Sequence, residues 1–205
     1  MTNPLYAIVV ALALAAAGPV SAAAAESTAA KDPAAAKGAP AAAEDDTFDK
    51  HEMLAKAEEF FGSTTKGLAE AIQKVFEDQG RPNGYIKGEE VSGAFGVGLR
   101  YGNGKLHRKT RAPMQLYWQG PSVGFDFGGN ASKVFTLVYH LKDNEEIFQR
   151  IPGAEGTLYV VAGVAVNYQQ SGDLILAPIR TGVGLRGGVN VGYLHYAKKH
   201  SWIPF

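Results

Sequence analysis

From Phe48 onward the apolar residues first recur at helical spacing. Met53, Leu54, Ala57, Phe60 and Phe61 fall on one face of a 3.6-residue period. Asp49, with Glu52 three residues later, has the form of a capping box, and Gly62 stops the segment. Thr64 or Thr65 then offers a second cap, and Leu68, Ile72, Val75 and Phe76 line a second face. Gly80 and Arg81-Pro82 end it. The pattern predicts two short amphipathic helices within 49–79, packed on a core rather than displayed.

After Tyr85 the period drops to two. Ala94 to Tyr101 alternates, with Phe95, Val97, Leu99 and Tyr101 on one side and Gly96, Gly98 and Arg100 on the other. Tyr101-Gly102-Asn103-Gly104 predicts a hairpin turn, because Asn-Gly accepts the positive φ angles of tight hairpins. Met114–Trp118 reads as a strand closed by Gln119-Gly120-Pro121, and Val123–Phe127 as another. Lys133–Leu141 is a fuller apolar strand, and Asp143–Arg150 reads as one or two helical turns. Thr157–Tyr168 predicts one long strand, turned at Gln170-Ser171-Gly172-Asp173. Leu174–Ile179, Val183–Leu185 and Val189–Tyr196 complete the set. Many closely spaced strands with turn signals predict an all-β barrel or sandwich over 84–205.

The pentapeptide Gly-Val-Gly-Leu-Arg occurs twice, at 96–100 and at 182–186, and Gly187 extends the second copy to dinucleotide-loop spacing. A phosphate-binding loop must open a helix and meet an acidic residue about 20 positions later. The residues after Gly187, GVNVGYLHY, alternate with period two instead, and the chain ends before any such acid. Both copies therefore read as strands whose glycines allow sharp bending or close approach of other backbone.

The N-terminal stretch sets the compartment. The first 25 residues carry no Lys, Arg, Asp or Glu, and Leu5 to Ala17 is an unbroken apolar run. Gly18-Pro19 and a cluster of small residues come next, as in a secretory signal peptide cleaved after Ala22 or Ala25. The run falls short of the roughly 20 residues needed to span a bilayer, so no transmembrane segment is expected once it is removed. Residues 26–47 are rich in Ala and Pro, lack large apolar side chains and predict a disordered linker. The expected organisation is a signal peptide at 1–25, a linker at 26–47 and a domain at 48–205.

Composition removes several functions. Twenty basic residues balance 20 acidic ones, so nothing is built to neutralise a nucleic-acid backbone. There is no cysteine, hence no disulfide, thiolate metal site or thiol nucleophile. The five histidines show no zinc-binding spacing. No metal or cofactor is expected. Glu89-Glu90 and Glu145-Glu146 lie near predicted turns and read as solvated charge. Two carboxylates meeting in space on a glycan remain open.

One stretch, Tyr117 to Asn130, is denser in chemistry. Asp126 sits between two phenylalanines on the strand face shared with Gly124 and Gly128. On an inner face it needs a partner such as Arg100 or Arg186; on an outer face it is an ordinary surface acid. Tyr117 and Trp118 stand beside a predicted turn, either as core residues or as rings that stack on a sugar or lipid headgroup. The candidate ligand-binding residues are thus Tyr117, Trp118, Asp126, Arg100 and Arg186.

Long strings of the chain resemble a known family. FEDQGRPNGYIKGEEVSGAFGVGLRYGNG (76–104), YWQGPSVGFDFGGNASKVFTLVYHL (117–141) and VNYQQSGDLILAPIRTGVGLRGGVNVGYLHY (166–196), with the terminal SWIPF, are similar to the DUF1134, or envelope integrity protein A (EipA), family of alphaproteobacteria. The resemblance implies a small soluble antiparallel β-barrel in the periplasm that supports cell-envelope integrity, with no catalytic residues to carry over. SGAFGVGLRYG and VGFDFGGNASKVFTLV also resemble, more distantly, the SYLF (Ysc84-like) lipid-binding domains. The expected protein is non-catalytic and binds an envelope lipid, a lipopolysaccharide-related glycolipid or an envelope protein. The alternative is a peptidoglycan-directed hydrolase or hydrolase inhibitor. An outer-membrane barrel fits poorly, since glycine-heavy strands present little lipid-facing apolar surface.

Overall fold

The computed structural model describes residues 45–63, 65–124, 132–154, 157–181 and 192–201, with the backbone alone at 93–97 and 122–124. The predicted signal peptide and all of the linker before Asp45 lie outside them. Helix α1 runs Lys50–Phe61 and α2 Lys66–Gln79. Their ends obey the sequence signals: Asp49 accepts from the Glu52 amide, Thr65 accepts from the Leu68 amide, and Gly62 and Gly80 terminate the two helices.

The strands are β1 Gly84–Arg108, β2 Arg111–Gly124, β3 Ser132–Tyr139, β4 Arg150–Pro152, β5 Tyr159–Val161, β6 Val164–Val166, β7 Gln169–Ser171, β8 Leu174–Thr181 and β9 Tyr193–Ala197. They form one antiparallel sheet in the order β4-β9-β2-β1-β3-β8-β6-β5, with β7 also paired to β8. The fold is mainly β, a curled antiparallel sheet preceded by two helices, as the sequence predicts. A single 3-10 turn, Asn144–Ile147, stands where one or two helical turns are expected.

β1 shapes the molecule. Its first part, Gly84–Glu90, pairs with β3, and its later part, Gly96–Arg108, pairs with β2. The strand bends so far that its two parts cross. A methyl group on Gly88 would stand 2.5 Å from the Asn103 carbonyl oxygen and 3.1 Å from Gly104 Cα. Only glycine fits where two backbones come this close.

Three local expectations are corrected. Tyr101–Gly104 is not a turn: it lies inside β1, and Gly102, Asn103 and Gly104 have no positive φ. The reversal comes later, at Lys109-Thr110. Gln119-Gly120-Pro121 does not close β2 but pairs with Leu99–Tyr101 inside it. Thr157–Tyr168 is not one strand, because Ala162 and Gly163 both take positive φ and fold it into the β5–β6 hairpin. The first glycine pentapeptide is strand, as expected, and the second lies outside the described residues.

Two apolar layers hold the fold. On one face of the sheet, Met53, Ala57, Leu68, Ile72 and Val75 of the helices pack on Phe135, Leu137, Tyr139, Val166 and Ile179. On the other face, inside the curl, Ile86, Leu106, Leu116, Trp118, Val138, Leu176, Leu194 and Tyr196 meet. β3 is therefore buried on both faces, which explains why KVFTLVYHL reads as a continuous apolar run.

Candidate functional site

The inner face of β1 carries Ile86, Gly88 and Glu90 in its first part and Arg100, Gly102, Gly104 and Leu106 in its second. Strand alternation places them there with the buried Ile86 and Leu106. Glu90 is therefore not the solvated charge that a position near a turn predicts. It is 2% exposed, at the centre of an ion cluster. Arg180, from β8, grips it with both arms, Nε to Oε1 at 3.0 Å and Nη2 to Oε2 at 3.2 Å. Arg100 Nε forms an ion pair with Oε1 at 3.2 Å. Trp118 Nε1 donates to Oε2 at 2.9 Å, and Arg180 Nη1 donates to Asn167 Oδ1 at 2.9 Å.

Burial pushes the Glu90 carboxyl up, but Arg180, Arg100 and the hydrogen bonds outweigh it and hold Glu90 below the usual carboxylate range. Burial also raises the nearby Tyr196 phenol, which donates to Gln169 Oε1 at 2.9 Å. A carboxylate with both oxygens occupied and its proton affinity lowered is a poor general acid or base. The space enclosed by Ile86, Trp118, Val134, Thr136, Pro178, Arg180, Leu194 and Tyr196 has no room for a water molecule. The cluster therefore pins β1, β2 and β8 around this closed space. Glu89, Glu145 and Glu146 are exposed. Among the described residues no group of acids and histidines could hold a metal ion.

The candidate residues separate. Arg100 and Trp118 converge on Glu90 inside the curl, so the indole is 4% exposed and unavailable for stacking. Asp126 and Arg186 lie outside the described residues. Tyr117 points the other way. Register places Tyr101 opposite Gln119 and Asn103 opposite Tyr117, and continues Tyr117 to Ala197 and Gln119 to His195 on β9. All of these share the outer face. His200 completes an aromatic group there, 5.9 Å edge-on to Tyr117 and 6.4 Å from Tyr101, between ring centroids. Tyr101 and Tyr117 are partly exposed, His200 and Asn103 exposed, and Leu99 is 38% exposed on the same row. Arg150 caps the Tyr193 ring at 5.2 Å nearby. Glu90, Arg180, Asn167, Tyr101 and His200 are the members that sequence reasoning missed. Alternation from Ile86 would have placed Glu90 inside, and alternation from Leu176 would have placed Arg180 there.

Fold and site define a small β-barrel-like protein whose only buried carboxylate, among the described residues, is structural. Residues 46–205 match the model of the family described as Envelope integrity protein A, and the chain belongs to that family. A crystal structure of a β-barrel-like, uncharacterised protein from Brucella abortus shares 46% identity, with a TM-score of 0.71, over 78% of this chain and 99% of that one. No curated protein matches the chain. The family fits a role in envelope integrity, and no described helix is long and apolar enough to cross a membrane.

Proposed function

We propose that this chain is a non-catalytic periplasmic protein that supports the envelope by holding the glycan of an envelope glycolipid on the outer face of β1, β2 and β9. The observation that carries the reading is the Tyr101–Tyr117–His200 group with exposed Leu99 beside it. The C–H faces of a pyranose ring pack well on aromatic faces, and tyrosine and histidine add polar edges for its hydroxyls. Among the described residues, the space beside Arg180 and Trp118 leaves no room for an acyl chain, which favours recognition of a headgroup at the surface. The locked state of Glu90 and the exposure of Glu89, Glu145 and Glu146 favour binding over peptidoglycan hydrolysis.

The test is calorimetric titration of the purified protein with deacylated lipopolysaccharide and with soluble muropeptides. Binding of the former that Tyr117→Ala and Tyr101→Ala abolish, without loss of fold, supports the reading. Binding unaffected by either substitution, or no binding, rejects it.

A further inference from the structure

The outer row of β1 continues past Tyr101 and Asn103 to Lys105 and His107. The His107 ring stacks on Tyr85, with centroids 4.9 Å apart and planes 7° from parallel. Lys87 of β1 reaches over the same tyrosine, its Nζ 5.9 Å from the Tyr85 centroid. Half-burial, and after it the charges of Lys87, Lys105 and Lys56 of α1, holds the imidazole below its ordinary pKa. The acids facing this corner are Glu59, whose exposed carboxylate is 3.4 Å from Lys87 Nζ, and Glu52, which acts with Glu59 on the Tyr85 phenol. On the far side of Tyr85, Phe48 meets the ring edge-on at 5.3 Å and carries Lys109 over its own face at 5.4 Å. The charges of Lys87 and Lys105, from the two parts of the bent strand, and of Lys56 from α1 thus all act on one stacked histidine.

We propose that this corner is a phosphate-binding site, in which Lys87, Lys105 and protonated His107 hold the dianionic oxygens of a phosphomonoester headgroup or of free phosphate. Three lysines crowding an imidazole oppose its protonation; a bound dianion reverses the sign of that field and makes His107 a donor. Linkage requires the converse: a dianion bound beside the ring raises the His107 pKa. The site does not rest on the glycan reading, because inorganic phosphate probes it without a sugar.

The test tracks the His107 ring proton by NMR through a pH titration of the full chain, in phosphate and in chloride of matched ionic strength. The expected result is a His107 pKa higher by about half a unit to one unit in phosphate, with His200 unmoved. Lys105→Gln, at an exposed position, loses most of that rise. A parallel arm floats the protein with phosphatidylcholine vesicles, with and without phosphatidic acid. A phosphate shift with retention on phosphatidic acid supports the site with a lipid headgroup as its source; a shift without retention supports it with a soluble phosphate source. Equal His107 values in phosphate and chloride overturn the proposal, whether or not vesicles are retained, since a membrane would then be held elsewhere.

Discussion

Gly102→Ala probes the least local feature of the fold. A methyl group at this position would stand 2.1 Å from Trp118 Cε2 and 2.3 Å from Nε1. The indole cannot simply step aside, because Nε1 is bonded to Glu90 and the ring packs tilted on Tyr196 at 6.1 Å. Forcing an extra methyl into such a core costs about 1–3 kcal/mol. Displacing the indole from a buried carboxylate adds about 1.5–3 kcal/mol. The expected loss is therefore about 3–5 kcal/mol. For a domain of this size that lowers Tm by about 6–20 °C. Urea unfolding should show an earlier midpoint at unchanged slope, with an altered near-ultraviolet tryptophan signal in the folded state. Were Gly102 beside a surface hairpin turn, alanine would be close to neutral and Trp118 untouched. A loss below about 1 kcal/mol with an unchanged tryptophan signal would refute the crossing of β1 over Trp118.

Three further substitutions separate the contributions. Glu90→Gln leaves Arg100 and Arg180 buried without their counter-charge and should cost about 3–5 kcal/mol at neutral pH. Because the folded-state pKa of Glu90 is depressed, its stabilisation is present above the unfolded carboxylate pKa and fades as pH falls through the folded value, so the acid side of the stability profile should be flatter in the variant. The Tyr139 hydroxyl is buried with no hydrogen-bond partner, and Tyr139→Phe should gain about 1 kcal/mol in urea unfolding. Gly67→Ala would gain about 1 kcal/mol on helix propensity alone. Its methyl would meet the Val161 and Ala162 carbonyl oxygens at 2.7 and 2.9 Å, so thermal unfolding should show a net loss instead.

Features decided by short-range physics were legible in the sequence. Asp49, Thr65, Gly62 and Gly80 bound the helices because a cap needs only its own turn, and both predicted faces pack on the core, with Leu54, Phe60, Phe61 and Phe76 half-buried at its edge. The Asn103-Gly104 turn failed because a dipeptide preference worth little was overridden by distant partners: Trp118 fills the space over Gly102, and Gly88 meets Gly104. Glu90 is hidden in the sequence for a second reason, a strand that begins earlier than its clear alternation. With the strand begun at Ala94, the pair Glu89-Glu90 looked like turn charge; carried back to Ile86, the alternation sends Glu89 out and Glu90 in. Tyr117 and Trp118 stand side by side in the sequence, but adjacent strand residues face opposite ways, so one lies in the core and the other on the outer face. Nothing local marks His200 as their neighbour, since the chain end brings it to Tyr101 and Tyr117 from outside the β1–β2 hairpin.

If the outer face of β1, β2 and β9 holds an envelope glycan, amide chemical-shift mapping of the labelled protein during titration with deacylated lipopolysaccharide tests it most directly. Saturable shifts confined to a contiguous patch are predicted: Leu99, Tyr101, Asn103, Tyr117, Ala197 and His200. Shifts centred on the helices or on the β5–β6 hairpin, or none at saturating oligosaccharide, would contradict glycan binding at this face.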